Sequence, residues 1–303
     1  MAKIAAFLLF LPALLGPGLT SANAAGPPVR VIPIAYAAHD GLLRRAYVIV
    51  PASYVPGTPI PLVISPHGRG VGARTNVRRW GRLPALGDFA VVNPEGQGRA
   101  LTLFSWGDPG EIRDLAHMPD IVEQALPWLR VDRHRIYAFG GSMGGQETLL
   151  LVARFPHLLA GAASFDAPTN MAARYRAFLG QPLGASLQHL ARIEIGGTPS
   201  ADPRAYAVRS PVDWARRIAS AGVPLQIWWS TRDRTVTDQR DESGLLYRMI
   251  KRLNPSAPVT QFVGRWAHTT EMKAHGELPY ALSRFGLLGP RAGPPPLEPT
   301  SML

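Results

Sequence analysis

The chain has 303 residues, 46% hydrophobic and 17% charged, which excludes a disordered or fibrous protein and suits one large globular domain. It contains no cysteine, so disulfides, thiolate metal sites and thiol catalysis are excluded and the core alone must stabilise the fold. The net charge of +11 is almost all arginine, the only lysines being Lys3, Lys251 and Lys273; it is spread along the chain, which argues for a generally basic surface and against nucleic-acid binding.

Residues 1–24 carry one positive charge at Lys3, an apolar run over 4–15, and small residues ending at Ala22-Asn23-Ala24. That is the pattern of a secretory signal peptide cleaved after Ala24, and it predicts export to the cell envelope, the periplasm or the medium. The apolar run is well short of the about 20 residues that span a bilayer, and no later segment is long enough, so no membrane insertion is predicted once the signal is removed.

Two apolar stretches, 29–37 and 42–50, flank His39-Asp40-Gly41 and read as an antiparallel hairpin with a glycine turn. Six short, nearly continuous apolar runs follow, at 61–65, 89–94, 135–140, 159–165, 224–230 and 259–264. Such runs suit strands buried on both faces. Helix-like segments lie between and after them, at 76–86, 111–129, 143–155, 211–221, 242–253 and near 271–285. Alternation of this kind predicts right-handed crossovers and an α/β fold with a mostly parallel central sheet, flanking helices and the hairpin at one edge.

The connection 166–223 is far longer than the usual link between a strand and a helix, and is expected to form a small cap with helices near 171–179 and 187–192. The predicted organisation is a signal peptide (1–24), one domain (25–289) with this insertion, and a proline-rich disordered tail (290–303).

The stretch Gly140-Gly141-Ser142-Met143-Gly144 has the glycine-x-serine-x-glycine pattern of a nucleophile elbow. The pattern alone is weak, but an apolar strand-like run precedes it and a helix-like run follows, the context the elbow requires. Met143 then opens the helix, where its backbone N–H and the helix dipole favour a developing oxyanion. A serine hydroxyl needs a base, and the base needs an orienting carboxylate. Asp233 and His268 follow the strands 224–230 and 259–264 in the expected order of serine, acid, histidine.

Asp166, after the strand that follows the elbow, is the alternative acid, with Asp238 a further one; His275 is the rival base, inside the last helix-like segment. His117, His134, His157 and His189 fall in helices or connections and read as ordinary histidines. A second oxyanion donor is expected from the loop after 61–65, at Gly68 or Arg69, with Gly70 permitting the turn and His67 fixing the loop. Trp106, Trp266 and Tyr175 are candidates for lining a substrate pocket, although large aromatics more often pack in cores. Arg174 and Arg176 are candidates for a substrate carboxylate, with a solvated face the simpler reading.

With the elbow, the "HGRG" loop, Asp233 in "STRDRTV" and His268 in "GRWAHTTEM", the chain resembles the α/β-hydrolase superfamily over 29–285. Within it, "FGGSMGG", the Asp233-x-x-Val236 step and "AVRSPVDWA" are similar to the catalytic domain of prolyl-oligopeptidase-type serine peptidases, while "HGRG" is similar to secreted polyester depolymerases and feruloyl-type esterases. The resemblance implies a secreted serine hydrolase of small-molecule esters or peptides, acting through an acyl-enzyme without metal or organic cofactor. An acyltransferase using the same residues, and a non-catalytic binding protein of the same fold, are the other readings.

Overall fold

The structure, a computed structural model, describes residues 27–290; the expected signal peptide and the tail beyond Pro290 lie outside them. Strands β1 (Val29–Ala37) and β2 (Leu43–Pro51) pair antiparallel, as the two apolar stretches require. Their turn passes through Gly41 at φ 79°, a left-handed conformation that glycine adopts without a Cβ clash. His39 ties the turn to the body through its Nδ1, 2.7 Å from Asp114 Oδ2.

The chain then alternates: β3 (Pro59–Ile64), α1 (Ala73–Trp80), α2 (Leu83–Gly87), β4 (Ala90–Pro94), α3 (Pro109–Ala125), β5 (Arg130–Gly141), α4 (Met143–Arg154) and β6 (Gly161–Phe165). The 166–223 connection holds α5 (Met171–Ala177), α6 (Gly184–Ala191), α7 (Pro203–Ala207) and α8 (Ala215–Ser220). It leads into β7 (Leu225–Ser230), α9 (Ser243–Leu253), β8 (Val259–Gly264) and α10 (Leu278–Ser283). All eight expected strands are present and form one sheet in the order β1-β2-β4-β3-β5-β6-β7-β8, parallel from β4 to β8.

The helices cover both faces of the sheet. Ile112 and Leu115 of α3, Leu149 and Val152 of α4, Ile218 of α8 and Leu246 of α9 pack against Val48, Leu62 and Ile64 on one face. Trp80 of α1, Leu83 of α2 and Leu282 of α10 pack against Ile49, Val63 and Phe139 on the other. Each parallel strand is therefore buried on both sides, which is why its sequence reads as an unbroken apolar run.

Two helices differ from expectation. The segment expected as one helix over 76–86 is divided at Gly81, whose φ of 52° interrupts the first helix, and Pro84 opens the second. The helix expected from 271 begins only at Leu278, because residues 271–277 turn back on themselves and the N–H groups of Glu277 and Leu278 both donate to Glu271 O, at 2.8 and 2.9 Å.

Strand order positions the site. From β3 the chain steps to β4 on one side, then crosses back so that β5 lies on the other. The loops leaving the C-terminal ends of β3 and β5 diverge to opposite faces, opening a crevice between adjacent strand ends. Those two loops are residues 65–72 and the elbow at Ser142.

Candidate active site

Ser142 sits between β5 and α4 with φ 59° and ψ −125°, a strained conformation for a residue with a Cβ. It is held there by its N–H, which donates to Phe165 O at 2.8 Å, and by its carbonyl, which accepts from Gln146 N at 3.0 Å. The flanking glycines are needed for space. A Cβ on Gly140 would lie 2.1 Å from Gly144 O, and one on Gly144 would lie 2.2 Å from Pro66 O. The helix start thereby reaches the loop after β3.

That loop is pinned at its start. Asn76 Nδ2 donates to Ser65 O and Pro66 O at 3.0 and 2.8 Å, and Trp80 Nε1 donates to Ser65 Oγ at 2.9 Å. His67 is buried; its Nε2 accepts from Gly96 N at 3.1 Å and its Nδ1 donates to Gly68 O at 2.8 Å. Burial lowers the pKa of this imidazole, which suits the neutral tautomer that these two bonds specify. His67 thus braces the loop, as expected from sequence. Gly68 packs against the elbow, since a Cβ there would be 3.6 Å from Ser142 Cβ. The Gly70 N–H donates to Leu103 O at 2.8 Å, whereas those of Gly68 and Arg69 have no acceptor among the described residues. Met143 is the first residue of α4, so its N–H also lies ahead of the helix hydrogen-bond ladder.

The loop after β8 brings His268 alongside. A Cβ on Gly141 would be 3.1 Å from Thr269 Cγ2, so the residues beside Ser142 and His268 are in contact. His268 Nδ1 lies 2.7 Å from Asp233 Oδ2, and its Nε2 is buried without a hydrogen-bond partner. Asp233 is fixed in turn: Oδ1 accepts from Thr235 N and Val236 N at 2.8 and 3.0 Å, and Oδ2 accepts from Gln239 Nε2 at 3.2 Å.

Asp166 stands 3.9 Å from the same imidazole nitrogen, but its oxygens are bound to backbone, accepting from Ser230 N at 2.9 Å and Thr269 N at 2.8 Å. The ring therefore hydrogen-bonds to Asp233 and not to the alternative acid. Atoms of Asp166, Asp233 and His268 approach within 4.8 Å of one another, a spacing a metal ion would accept, but these hydrogen bonds already occupy them. Asp238 and His275 are exposed, as are His117, His134, His157 and His189.

No known family model matches the chain. Over 110 residues it is 29% identical to poly(3-hydroxyalkanoate) depolymerase C of Paucimonas lemoignei, a stretch covering 34% of this chain and 27% of that protein. Its architecture is matched more widely. It resembles an acylaminoacyl peptidase of Pyrococcus horikoshii with a TM-score of 0.63 and 19% identity, over 85% of this chain and 40% of the peptidase. An esterase of Rhizomucor miehei gives 0.66 at 12% identity over 86% of this chain and 82% of its own. A fluorophosphonate-binding serine hydrolase of Staphylococcus aureus gives 0.61 at 17% identity over 86% and 99%. The chain has the α/β-hydrolase fold.

On this hydrolase fold the 166–223 connection lies over the elbow. Met171, Tyr175, Phe178, Ile195 and Tyr206 form a small apolar cluster with Trp106 and Met143. Two buried carboxylates fasten it: Glu194 accepts from the N–H groups of Arg99, Ala100 and Leu101, and Glu242 accepts from those of Thr169 and Asn170.

Of the three aromatic candidates, only Trp106 faces the cleft above Ser142. Tyr175 packs edge-on to Tyr206 inside the connection, and its hydroxyl accepts from Arg192 Nη1 at 2.9 Å. Trp266 lies over Gly264 and beside Trp228, 6.2 Å between centroids, and serves packing instead. The solvated face expected of the two α5 arginines holds for Arg176, which is exposed. Arg174 is buried and lines the cleft. Three further residues had no sequence signal: the Arg69 side chain in the same cleft, Gln239 on Asp233, and Glu271, buried near Asp166. A separate cavity beside Pro51, Tyr54, Ile60 and Asp88 has no histidine in its lining.

Proposed function

We propose that the protein is an exported serine hydrolase that cleaves a carboxylic ester or peptide bond, with Ser142 as nucleophile, His268 as base and Asp233 as orienting acid. The observation that carries this reading is the 2.7 Å His268–Asp233 hydrogen bond beside a serine held on a strained strand-to-helix turn. The fold likenesses to esterases and a peptidase support both bond types, and the signal-like segment 1–24 supports export.

In this mechanism Ser142 Oγ attacks the acyl carbon while His268 Nε2 takes its proton. Asp233 holds Nδ1–H and stabilises the imidazolium that forms. The backbone N–H of Met143 and that of Gly68 or Arg69 donate to the oxyanion. Collapse of the tetrahedral intermediate breaks the bond to the leaving group, which takes the proton from His268. Water, deprotonated by His268, then attacks the acyl-enzyme; the ester bond to Ser142 breaks, the carboxylic acid leaves, and the serine recovers its proton. These steps require no cofactor.

The test is fluorophosphonate labelling followed by intact mass, on the chain without residues 1–24 and on its Ser142→Ala variant. One label per wild-type chain and none on the variant is the expected result, with kcat on an activated ester falling on the order of 10⁵-fold or more. A folded wild type that takes no label overturns the proposal in favour of a binding protein. Product transfer to an added alcohol in preference to water would make it an acyltransferase.

A further inference from the structure

The cleft above Ser142 contains an unusual concentration of unpaired positive charge. It is narrow, with a free volume of only about 10 Å³, and Arg69, Trp106, Met143, Arg174 and Val236 are among its walls. Arg174 is 3% exposed, and its Nη1 is buried without a partner; its Nη2 donates to Thr235 O and, at 3.3 Å, to Gln181 Oε1. Arg69 Nη1 is likewise buried without a partner. Both guanidinium groups approach the Phe178 ring, with Cζ 5.5 and 4.9 Å from its centroid. Neither forms an ion pair with a carboxylate among the described residues. Burial lowers the pKa of each, and the charge of Arg69 lowers that of Arg174 further, to about 10, against the opposing charges of Glu242 and Asp233; a guanidinium is cationic at neutral pH.

Two adjacent cations, one buried and one half-buried, each with a buried free donor, are unfavourable unless an anion joins them. Guanidinium groups, planar and multidentate, match a carboxylate closely. The position of the pair also indicates which part of a substrate would carry the charge. A leaving group must receive its proton from His268, so it lies on the His268 side, in the open groove formed with Thr231, Arg232, Arg234 and Arg265. The narrow cleft beside Met143, whose walls must part to admit a ligand, is left for the acyl group. Arg232, Arg234 and Arg265 are exposed around the outer groove and would draw an anionic substrate inward.

Resting on the hydrolase reading above, we propose that the acyl group of the substrate ends in a carboxylate bound jointly by Arg69 and Arg174, so that half-esters of short dicarboxylic acids are preferred. Arg69 then contributes twice, its backbone at the oxyanion and its side chain at the acyl terminus.

The experiment compares 4-nitrophenyl hydrogen glutarate with its neutral analogue, 4-nitrophenyl methyl glutarate. The wild type is expected to favour the half-ester by at least about tenfold in kcat/KM, with the difference mainly in KM. Arg174→Gln should bring that ratio close to one, and Arg174→Lys, which keeps the charge but not the fork, should restore part of it. A wild-type ratio near one, or equal loss on both esters in Arg174→Gln, overturns the proposal. A preference seen only when the carboxylate is on the leaving group, with 4-acetoxybenzoate against its methyl ester, overturns the acyl-side assignment.

Fluorophosphonate labelling of the same preparation separates the two failures. Labelled enzyme without the preference refutes the anion site alone, whereas absence of labelling refutes the hydrolase. In that second case thermal stabilisation by glutarate, absent with dimethyl glutarate and lost in Arg174→Gln, still supports the anion site, and equal response to both refutes it.

Discussion

Asp233 and Asp166 both approach His268 Nδ1, at 2.7 and 3.9 Å, and their surroundings push them in opposite directions. Burial alone would raise the pKa of Asp233, but the hydrogen bond and charge of His268, with the amides of Thr235 and Val236, outweigh it and hold the carboxyl below its usual range. Asp166 is raised to about 6, by burial first and then by the charge of Asp233. Glu271, buried next to them, is pushed well above the ordinary carboxylate range by burial and by Asp166. One anion thus serves the imidazole while Asp166 holds the backbone of Ser230 and Thr269 around it. Asp233→Asn is expected to lower kcat on the order of 10³–10⁴-fold with an unchanged fold, because the ring would lose its oriented tautomer. Asp166→Asn should cost only about 10–100-fold and show mainly as a lower melting temperature, since it removes charge from a group that positions Ser230 and Thr269. Reversed kinetic ranking of the two variants would make Asp166 the acid. Asp233 was legible from chain order, whereas Glu271 was not: it lies in a stretch whose composition suggested a helix.

At the scale of elements, α4 and the loop after β3 meet with no room between them. The Cβ of a Gly144→Ala variant would have to sit 2.2 Å from Pro66 O and 3.0 Å from His67 O, both backbone atoms that cannot rotate away. Either α4 or the loop must shift. The variant is expected to lose roughly 2–4 kcal/mol in urea unfolding and to lose activity beyond that, because the shift moves Met143 relative to Gly68. A variant of near wild-type stability would mean that the loop adapts freely. The alternating strands and helices around this contact were readable from periodicity. The split at Gly81 and the late start of α10 were not, because turns closed by backbone bonds between neighbouring residues leave little compositional trace.

For the whole molecule, stability is set in part by carboxyl groups sealed between the sheet and its helices. Glu147 of α4 is fully buried, accepts a hydrogen bond from Ser105 Oγ, and has its pKa raised from 4.5 to about 8, chiefly by burial and further by Asp108. Glu111 of α3 is also raised well above its usual range, by burial and then by Glu147. A raised carboxyl keeps in the folded state a proton that the unfolded chain releases above pH 4.5, so its stabilisation is complete below that pH and is lost as pH rises through the folded value. His67, lowered by burial, acts oppositely, losing stability only as pH falls below its ordinary 6.5. Between pH 6.5 and about 8 the carboxyl groups therefore decide the slope. The melting temperature is expected to fall by roughly a few °C from pH 6.5 to about 8.5, and Glu147→Gln, neutral at every pH, should flatten that fall. A melting temperature that rises over this range would contradict the sign.

The sequence by itself determined the eight strands, their mostly parallel arrangement, the elbow, and the order of serine, aspartate and histidine. Each is carried by a run of consecutive residues or by its position after one, and strands buried on both faces are written as uninterrupted apolar runs. Chain order pointed to Asp233, but Asp166 also follows a strand, and only the tertiary structure shows where the two side chains arrive, Asp233 at 2.7 Å and Asp166 at 3.9 Å from the imidazole. It likewise separated Arg174 from Arg176, two residues apart on one short helix, sending the first into the cleft over Ser142 and the second into solvent. Burial and partnership depend on segments far apart in the chain, and no local pattern carries them.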